Sequence, residues 1–206
     1  MSTDLTIPQS IRRGRRLEYF TLAWNSLEAA GAIIAGVLAG SIALVGFGFD
    51  SVIECASGAT ILWRLGGGEA GERREKTALR LVGISFFLLA AYVSIDAIHS
   101  LARREEPSES IFGICVAAVS LIAMPLLARA KRRVARELNS GAMQADSRQT
   151  DLCAYLSAIL LAGLILNATL HWWWADPVAA LVMAPIIAKE GWEAVRGKTC
   201  CDCTHL

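Results

Sequence analysis

The chain has 206 residues, of which 54% are hydrophobic, and its mean hydropathy is +0.45. A soluble domain of this length would be more polar, and a formal net charge of +1 gives no reason to expect a nucleic acid partner. The six cysteines do not form the pattern of a secreted disulfide framework. The composition therefore excludes an ordinary soluble domain and predicts an integral membrane protein.

Six apolar stretches are near the length of about 20 helical residues that is needed to cross the hydrocarbon core. Asp176-Pro177 opens the sixth stretch as a good helix start, with Asp as the N-cap and Pro at the first helical position. The sequence therefore predicts an all-α fold, a six-helix transmembrane bundle over residues 17–197, between a basic N-terminus (1–16) and a Cys-rich tail (198–206). The spans cover about residues 17–38, 41–65, 77–101, 110–127, 141–167 and 176–189.

The distribution of Lys and Arg predicts that both ends of the chain are cytoplasmic. With the N-terminus inside, all of the 20 Lys and Arg residues except Arg103 and Arg104 fall on the cytoplasmic side, as the positive-inside rule requires. The three tryptophans 172–174 then lie at the outer start of the sixth span, where interfacial aromatic residues are expected. We expect a multi-pass protein of the plasma or inner membrane of a prokaryote.

Two carboxylates lie near the middle of the second predicted span. Asp50 and Glu54 are four residues apart and share one helix face. Carboxylates this close repel each other unless a cation or a proton lies between them. The pair predicts a cation or proton site, and the alternative is one protonated carboxyl group that is hydrogen-bonded to a neighbouring helix.

Other spans also contain polar residues, which are costly in lipid and need a partner or a function. Glu28 shares a face of the first span with Asn25, and it either carries protons or is a buried, hydrogen-bonded carboxyl group. Asp96 lies in the third span, followed one turn later by His99, which we interpret as a solvated residue at the outer surface. Glu28, Asp96 and Asp151 of the fifth span are candidates for proton coupling or for accessory roles.

Gln149 and Cys153 face the same way on the fifth predicted span, because they are four residues apart. Asp151 lies about 200° round the helix from each of them, so it is not expected in the same ligand shell. A lone buried Cys is usually a small hydrophobic residue, but beside the carboxylate pair on another helix it is a candidate ligand. Asp50, Glu54, Gln149 and Cys153 together could hold Zn²⁺ in a four-ligand shell.

The chain ends in a cluster of soft ligands within KTCCDCTHL, namely Cys200, Cys201, Cys203 and His205. Such side chains can bind zinc or copper, although their spacing matches no structural zinc motif. Palmitoylation of cysteines near the inner leaflet is the alternative interpretation.

Four motifs, on the second, third, fifth and sixth predicted helices, together resemble those of the cation diffusion facilitator family of divalent-metal transporters. The second-helix motif is Ser41-Ile42-Ala43-Leu44 with Asp50 and Glu54, where Glu54 replaces an Asp of the family. The fifth-helix motif is Ala145-Asp146-Ser147-Arg148-Gln149 with Cys153 and Ser157, where Gln149 and Cys153 replace the His and Asp ligands of the family. The third-helix motif is AAYVSIDAIHSLARREEP, and the sixth-helix motif is Asp176-Pro177.

The resemblance covers about residues 17–197 and implies a short, membrane-only branch that lacks the cytoplasmic domain usual in the family. It implies a homodimer that exports a divalent metal, most often zinc, from the cytoplasm in exchange for protons, with Zn²⁺ as the transported ion and no organic cofactor. The alternative is a membrane metal-binding or sensor protein that does not transport. An enzyme is not expected, because no nucleophile–base pair lies in a span.

Overall fold

The computed structural model describes residues 6–64, 71–104, 107–138 and 140–196. Within these ranges the chain forms six α-helices and no strand, which confirms the predicted all-α, six-helix fold. The tail residues Cys200, Cys201, Cys203 and His205 lie outside the described residues. The helices are α1 (Thr6–Ala39), α2 (Ile42–Arg64), α3 (Gly71–Arg103), α4 (Ile111–Glu137), α5 (Gly141–Leu170) and α6 (Ala175–Val195).

Five helices in the described ranges are long and apolar enough to cross a membrane, namely α1 to α5. The 21-residue helix α6 is not among them, because Asp176, Lys189, Glu190 and Glu193 interrupt its apolar sequence. The protein is therefore a multi-pass membrane protein, while the crossing of α6 and the cytoplasmic location of both ends stay predictions.

Several helices extend beyond their predicted spans, and α1, α3 and α4 extend furthest. α1 begins at Thr6 and α3 at Gly71, and α4 continues to Glu137, about three turns past its predicted end at Leu127. The added segments are rich in Arg, Lys and Glu, which are strong helix formers. Hydropathy predicted the apolar part of each helix and not its full length. The basic run after Leu127, which was predicted to follow the fourth span, continues α4 as a helix.

The helices pack mainly as three pairs, α1 with α2, α4 with α5, and α3 with α6. α2 also contacts α3, α5 and α6, and α1 contacts α4, so α1, α2, α4 and α5 enclose a common interior. Gly48 allows α1 and α2 to approach closely, because a Cβ atom there would lie 2.7 Å from Ile33 Cγ1 and 3.0 Å from the Ile33 backbone nitrogen.

A buried carboxylate connects the first turns of α2 and α6. α6 begins at Ala175, so Asp176 lies within its first turn, and the prediction that Asp176 is the N-cap of α6 is wrong. Asp176 instead caps α2, because its Oδ2 accepts a hydrogen bond from the Ile42 N–H at 2.9 Å and its Oδ1 accepts one from Ser41 Oγ at 2.5 Å. Two of the motifs that carried the resemblance therefore form one hydrogen-bond network.

Candidate cation pathway

A polar stripe on α1 faces the interior of the bundle. Glu18, Thr21, Asn25 and Glu28 are each at most 3% exposed. They recur every three or four residues, which places them on one side of the helix. The opposite side of α1 carries large exposed apolar residues such as Leu27. The apolar side of α1 is thus the lipid-facing side, and the stripe lines the enclosed interior.

Glu28 connects three helices within the bundle. Its Oε2 accepts a hydrogen bond from Ser51 Oγ of α2 at 3.0 Å, and its Oε1 accepts one from Ser120 Oγ of α4. Of the two interpretations of Glu28, the structure shows the buried, hydrogen-bonded carboxyl group, and the proton-carrying role stays a prediction.

Glu54 faces α5, as the predicted metal site requires. Its side chain is buried, and its Oε1 accepts a hydrogen bond from Thr150 Oγ1 at 2.7 Å. Cys153, one turn further along α5, is also buried and interacts electrostatically with the same carboxylate. The second oxygen, Glu54 Oε2, has no hydrogen-bond partner among the described residues. The structure therefore brings together one predicted ligand from α2 and one from α5.

Asp50 and Gln149 do not complete a ligand shell with this pair. Asp50 is buried and interacts electrostatically with Glu54 and Glu28. Gln149 Nε2 is buried and has no hydrogen-bond partner in the described part of the chain. No three Asp, Glu, His or Cys side chains among the described residues converge as a metal site. The four-ligand shell of Asp50, Glu54, Gln149 and Cys153 therefore stays a prediction.

The remaining predicted residues lie at less buried positions. Asp151 forms an ion pair with Arg132 of α4, in which the two side chains are 26% and 35% exposed. This position agrees with the helical period that separated Asp151 from Cys153. Asp96 is half-buried and His99 is exposed on α3. The accessory roles of Asp96 and Asp151 stay predictions.

A buried charge cluster on four helices was missed by the sequence analysis. Lys131 of α4 is 0% exposed, and its Nζ lies 2.5 Å from Asp146 Oδ2 of α5 and 3.2 Å from Glu18 Oε2 of α1. Ser57 Oγ of α2 donates a hydrogen bond to Asp146 Oδ1 at 3.3 Å. In their ionised forms one ammonium group faces two carboxylates, so the cluster has an excess of negative charge.

The position of Lys131 on the helix could have revealed this cluster. Lys131 lies in the basic run ARAKRRVARE and was assigned to the cytoplasmic segment after the fourth span. However, Ser120, Met124 and Lys131 are separated by four and seven residues, which puts all three on the buried face of α4. Arg129 and Arg133, which lie on other faces, are exposed.

The charge cluster and Glu54 are neighbours along the bundle. Thr150, which donates to Glu54, lies one turn from Asp146 and also donates to the Asp146 carbonyl oxygen at 3.2 Å. Buried polar groups therefore continue from Glu18 through Asp146 and Glu54 to Glu28. A line of acidic groups enclosed by membrane helices is the chemistry that a cation pathway needs.

The sequence of the chain matches a known protein family. The family model described as the cation efflux transmembrane domain matches residues 72–198. The chain belongs to the cation efflux family. Transmembrane protein 163 of Xenopus laevis is similar to the chain, with 26% identity over 178 residues, which make up 85% of this chain and 63% of that relative. The chain thus spans less than two thirds of the length of this relative.

Membership of the cation efflux family confirms the resemblance drawn from the sequence motifs and supports a metal-cation pathway. The matched range contains α3 to α6 apart from the first residue of α3, and with them Lys131, Asp146 and Cys153. Glu28 and Glu54 lie before it, on α1 and α2. The relative comes from an animal, so the comparison gives no support to the expectation of a prokaryotic membrane.

Proposed function

We propose that the protein exports a divalent metal cation, Zn²⁺, from the cytoplasm in exchange for protons, and that it works as a homodimer in the bilayer. One observation carries the proposal: Glu54 of α2 is buried against Thr150 of α5, one turn from Cys153, and keeps one carboxylate oxygen free of hydrogen bonds to the described residues. Membership of a metal-cation transporter family supports it. The homodimer rests on the family resemblance alone.

The ligand types favour zinc among the divalent metals. Carboxylate oxygens accept most divalent cations, while a thiolate such as that of Cys153 favours Zn²⁺ over Mg²⁺ and Ca²⁺. Asp50 and Gln149 are the other ligands that we propose.

Proton exchange follows from the same ligands. Metal ligands must be deprotonated to bind, so metal binding releases protons and metal release takes them up. Glu54 and Asp50 would exchange protons for metal directly. Glu28, Asp96 and Asp151 are proposed accessory groups.

Zinc flux into proteoliposomes that contain the purified chain tests the proposal. Glu54→Gln keeps the shape of the side chain and removes its charge, so we expect the flux to fall at least tenfold, and more in the double variant Asp50→Ala, Glu54→Ala. Glu109→Gln is the matched control, because the Glu109 side chain is 50% exposed and faces His171 at the end of the bundle. If the zinc flux is unaltered in the double variant, Asp50 and Glu54 do not form the metal site. A pH-sensitive dye inside the vesicles should report protons moving opposite to zinc.

A metal-binding or sensor protein without transport is the second candidate function. It is favoured by the lack of a closed ligand shell among the described residues and by Gln149 in place of a family His ligand. Zinc binding measured by calorimetry, without flux in the same preparation, would select this candidate. Deletion of residues 199–206 tests whether the cysteine tail contributes to the binding.

A further inference from the structure

The side chain of Asn25 is buried without a partner. It is 0% exposed, and neither Oδ1 nor Nδ2 forms a hydrogen bond to any of the residues that the structure describes. Leaving a buried polar group unpaired is unfavourable, and nearly all such groups in folded proteins have a partner. Both halves of one amide are unsatisfied here, which points to a ligand that binds at this position.

Contacts between α1 and α2 place Asn25 at the level of Glu54. Cys55 Sγ of α2 lies 3.8 Å from the carbonyl oxygen of Leu22, three residues before Asn25 on α1. Glu28, three residues after Asn25, accepts a hydrogen bond from Ser51 Oγ at 3.0 Å. Because the two helices run in opposite directions, Asn25 lies beside the turn of α2 between Ser51 and Cys55, and this turn carries Glu54.

The contacts of α1 with α4 show which way Asn25 faces. Glu18, seven residues before Asn25, contacts Lys131 of α4 at 3.2 Å. Glu28, three residues after it, accepts a hydrogen bond from Ser120 of α4. Asn25 shares this side of α1, so it faces the enclosed interior and not the lipid.

Two further buried atoms without partners belong to predicted ligands. Glu54 Oε2 and Gln149 Nε2 have no hydrogen-bond partner among the described residues. Thr150, which follows Gln149 in α5, donates to the other oxygen of Glu54 at 2.7 Å. The helices α1, α2 and α5 thus each carry a buried polar side-chain atom without a partner among the described residues. A cation between them would satisfy the two oxygen atoms, Asn25 Oδ1 and Glu54 Oε2.

We infer that Asn25 supplies a cation ligand from α1, which binds the transported divalent metal through Oδ1 together with Glu54; this inference rests on the proposed function. An amide oxygen adds a ligand without adding charge, so it does not increase the repulsion among the buried carboxylates. The thiolate of Cys153 adds a donor from α5, so the donors come from three helices. The metal therefore holds α1 against α2 and α5 when it is bound.

Calorimetry with Zn²⁺ alone, on the purified full-length chain in detergent, tests this inference. Asn25→Leu keeps the side-chain volume and removes both polar atoms, so we expect the zinc affinity to fall at least tenfold. The melting temperature without zinc should not fall, because the amide has no protein partner to lose. Asn25→Asp keeps an oxygen atom at the position and should keep or raise the zinc affinity.

Asn167→Leu is the matched control. Asn167 Nδ2 donates a hydrogen bond to the Pro107 carbonyl oxygen at 3.0 Å, so this variant should lose thermal stability and keep its zinc affinity. A purely structural role for Asn25 would make Asn25→Leu behave like this control.

The possible failures can be told apart. Wild-type zinc affinity in Asn25→Leu, together with lost affinity in Glu54→Gln, would overturn the role of Asn25 and leave the proposed function intact. No zinc binding by the wild-type chain would overturn both. If Asn25→Leu does not fold, a folded Asn25→Asp variant that binds no zinc would also overturn the role of Asn25.

Discussion

Lys131→Met is the substitution whose effect on stability the structure predicts most directly. Methionine has nearly the length and volume of lysine and removes only the ammonium group. The carboxylates of Glu18 and Asp146 then stay in the bundle interior with side-chain exposures of 0% and 1% and no cation between them.

The magnitude follows from the two contacts that are lost. At an effective dielectric constant of about 20, unit charges separated by 2.5 and 3.2 Å attract each other by about 7 and 5 kcal/mol. Much of this attraction offsets the desolvation of the three groups, and the orphaned carboxyl groups can bind protons instead of staying ionised. Removing one partner of a buried ion pair therefore costs about 3–5 kcal/mol net, and we expect a loss of this size.

Unfolding of the purified protein in mixed detergent micelles measures this loss. Arg129→Met is the control, because Arg129 lies two residues earlier on α4 and is exposed; it should change the free energy of unfolding by less than about 0.5 kcal/mol. The triple variant with Glu18→Gln and Asp146→Asn should recover most of the lost stability, because no uncompensated charge is left. A Lys131→Met protein as stable as the wild type would refute the buried ion-pair cluster.

Three further predictions concern other parts of the bundle. Asp176→Asn should lower the free energy of unfolding by about 1–3 kcal/mol, because α2 loses its charged cap; unchanged thermal unfolding would contradict the capping network. Cys153→Ser should weaken Zn²⁺ binding at least tenfold and Mn²⁺ binding much less, because thiolates favour zinc. Cys115→Ser, at an exposed position, should change neither affinity, and equal behaviour of the two variants would argue against the thiol ligand. Gly48→Ala should destabilise the protein by about 1–3 kcal/mol, since the new methyl group would push the α1 backbone away. A thermal unfolding curve like that of the wild type would contradict the close contact between α1 and α2 at this position.

The number and order of the helices could be predicted because each apolar stretch is long and the breaks between stretches are clear. The turn at Gly40, which has a positive φ of 68°, is one such break. Helix ends were predicted poorly where charged residues continue the helix, as in the last three turns of α4. Hydropathy detects the preference of side chains for lipid, and it carries no information about where backbone hydrogen bonding stops.

The candidate site was predictable in part, for a related reason. Asp50 and Glu54 are conspicuous because carboxylates are rare in apolar sequence, and their spacing predicted a shared face. Lys131 was missed because it lies in a run of basic residues such as Arg129 and Arg133 that are exposed, and its helical spacing from Ser120 and Met124 was not used to separate it from them. Partners such as Thr150, which donates to Glu54, cannot be recognised from the sequence, since a lone Thr in a membrane helix usually bonds to its own backbone.

The charge cluster bears directly on how the proposed transport could be coupled to a change of shape. In the structure, the cation that the buried acids hold is the ammonium of Lys131, bound to Asp146 and Glu18. A metal ion bound at Glu54 would lie near this ammonium, because Thr150 connects Glu54 to the same turn of α5. Two cations that share one group of acids repel each other, so metal binding would weaken the contacts that hold α4 against α1 and α5. A ligand can shift a conformational equilibrium only by interacting differently with its two states, and competition for the buried acids gives the proposed cargo such a difference.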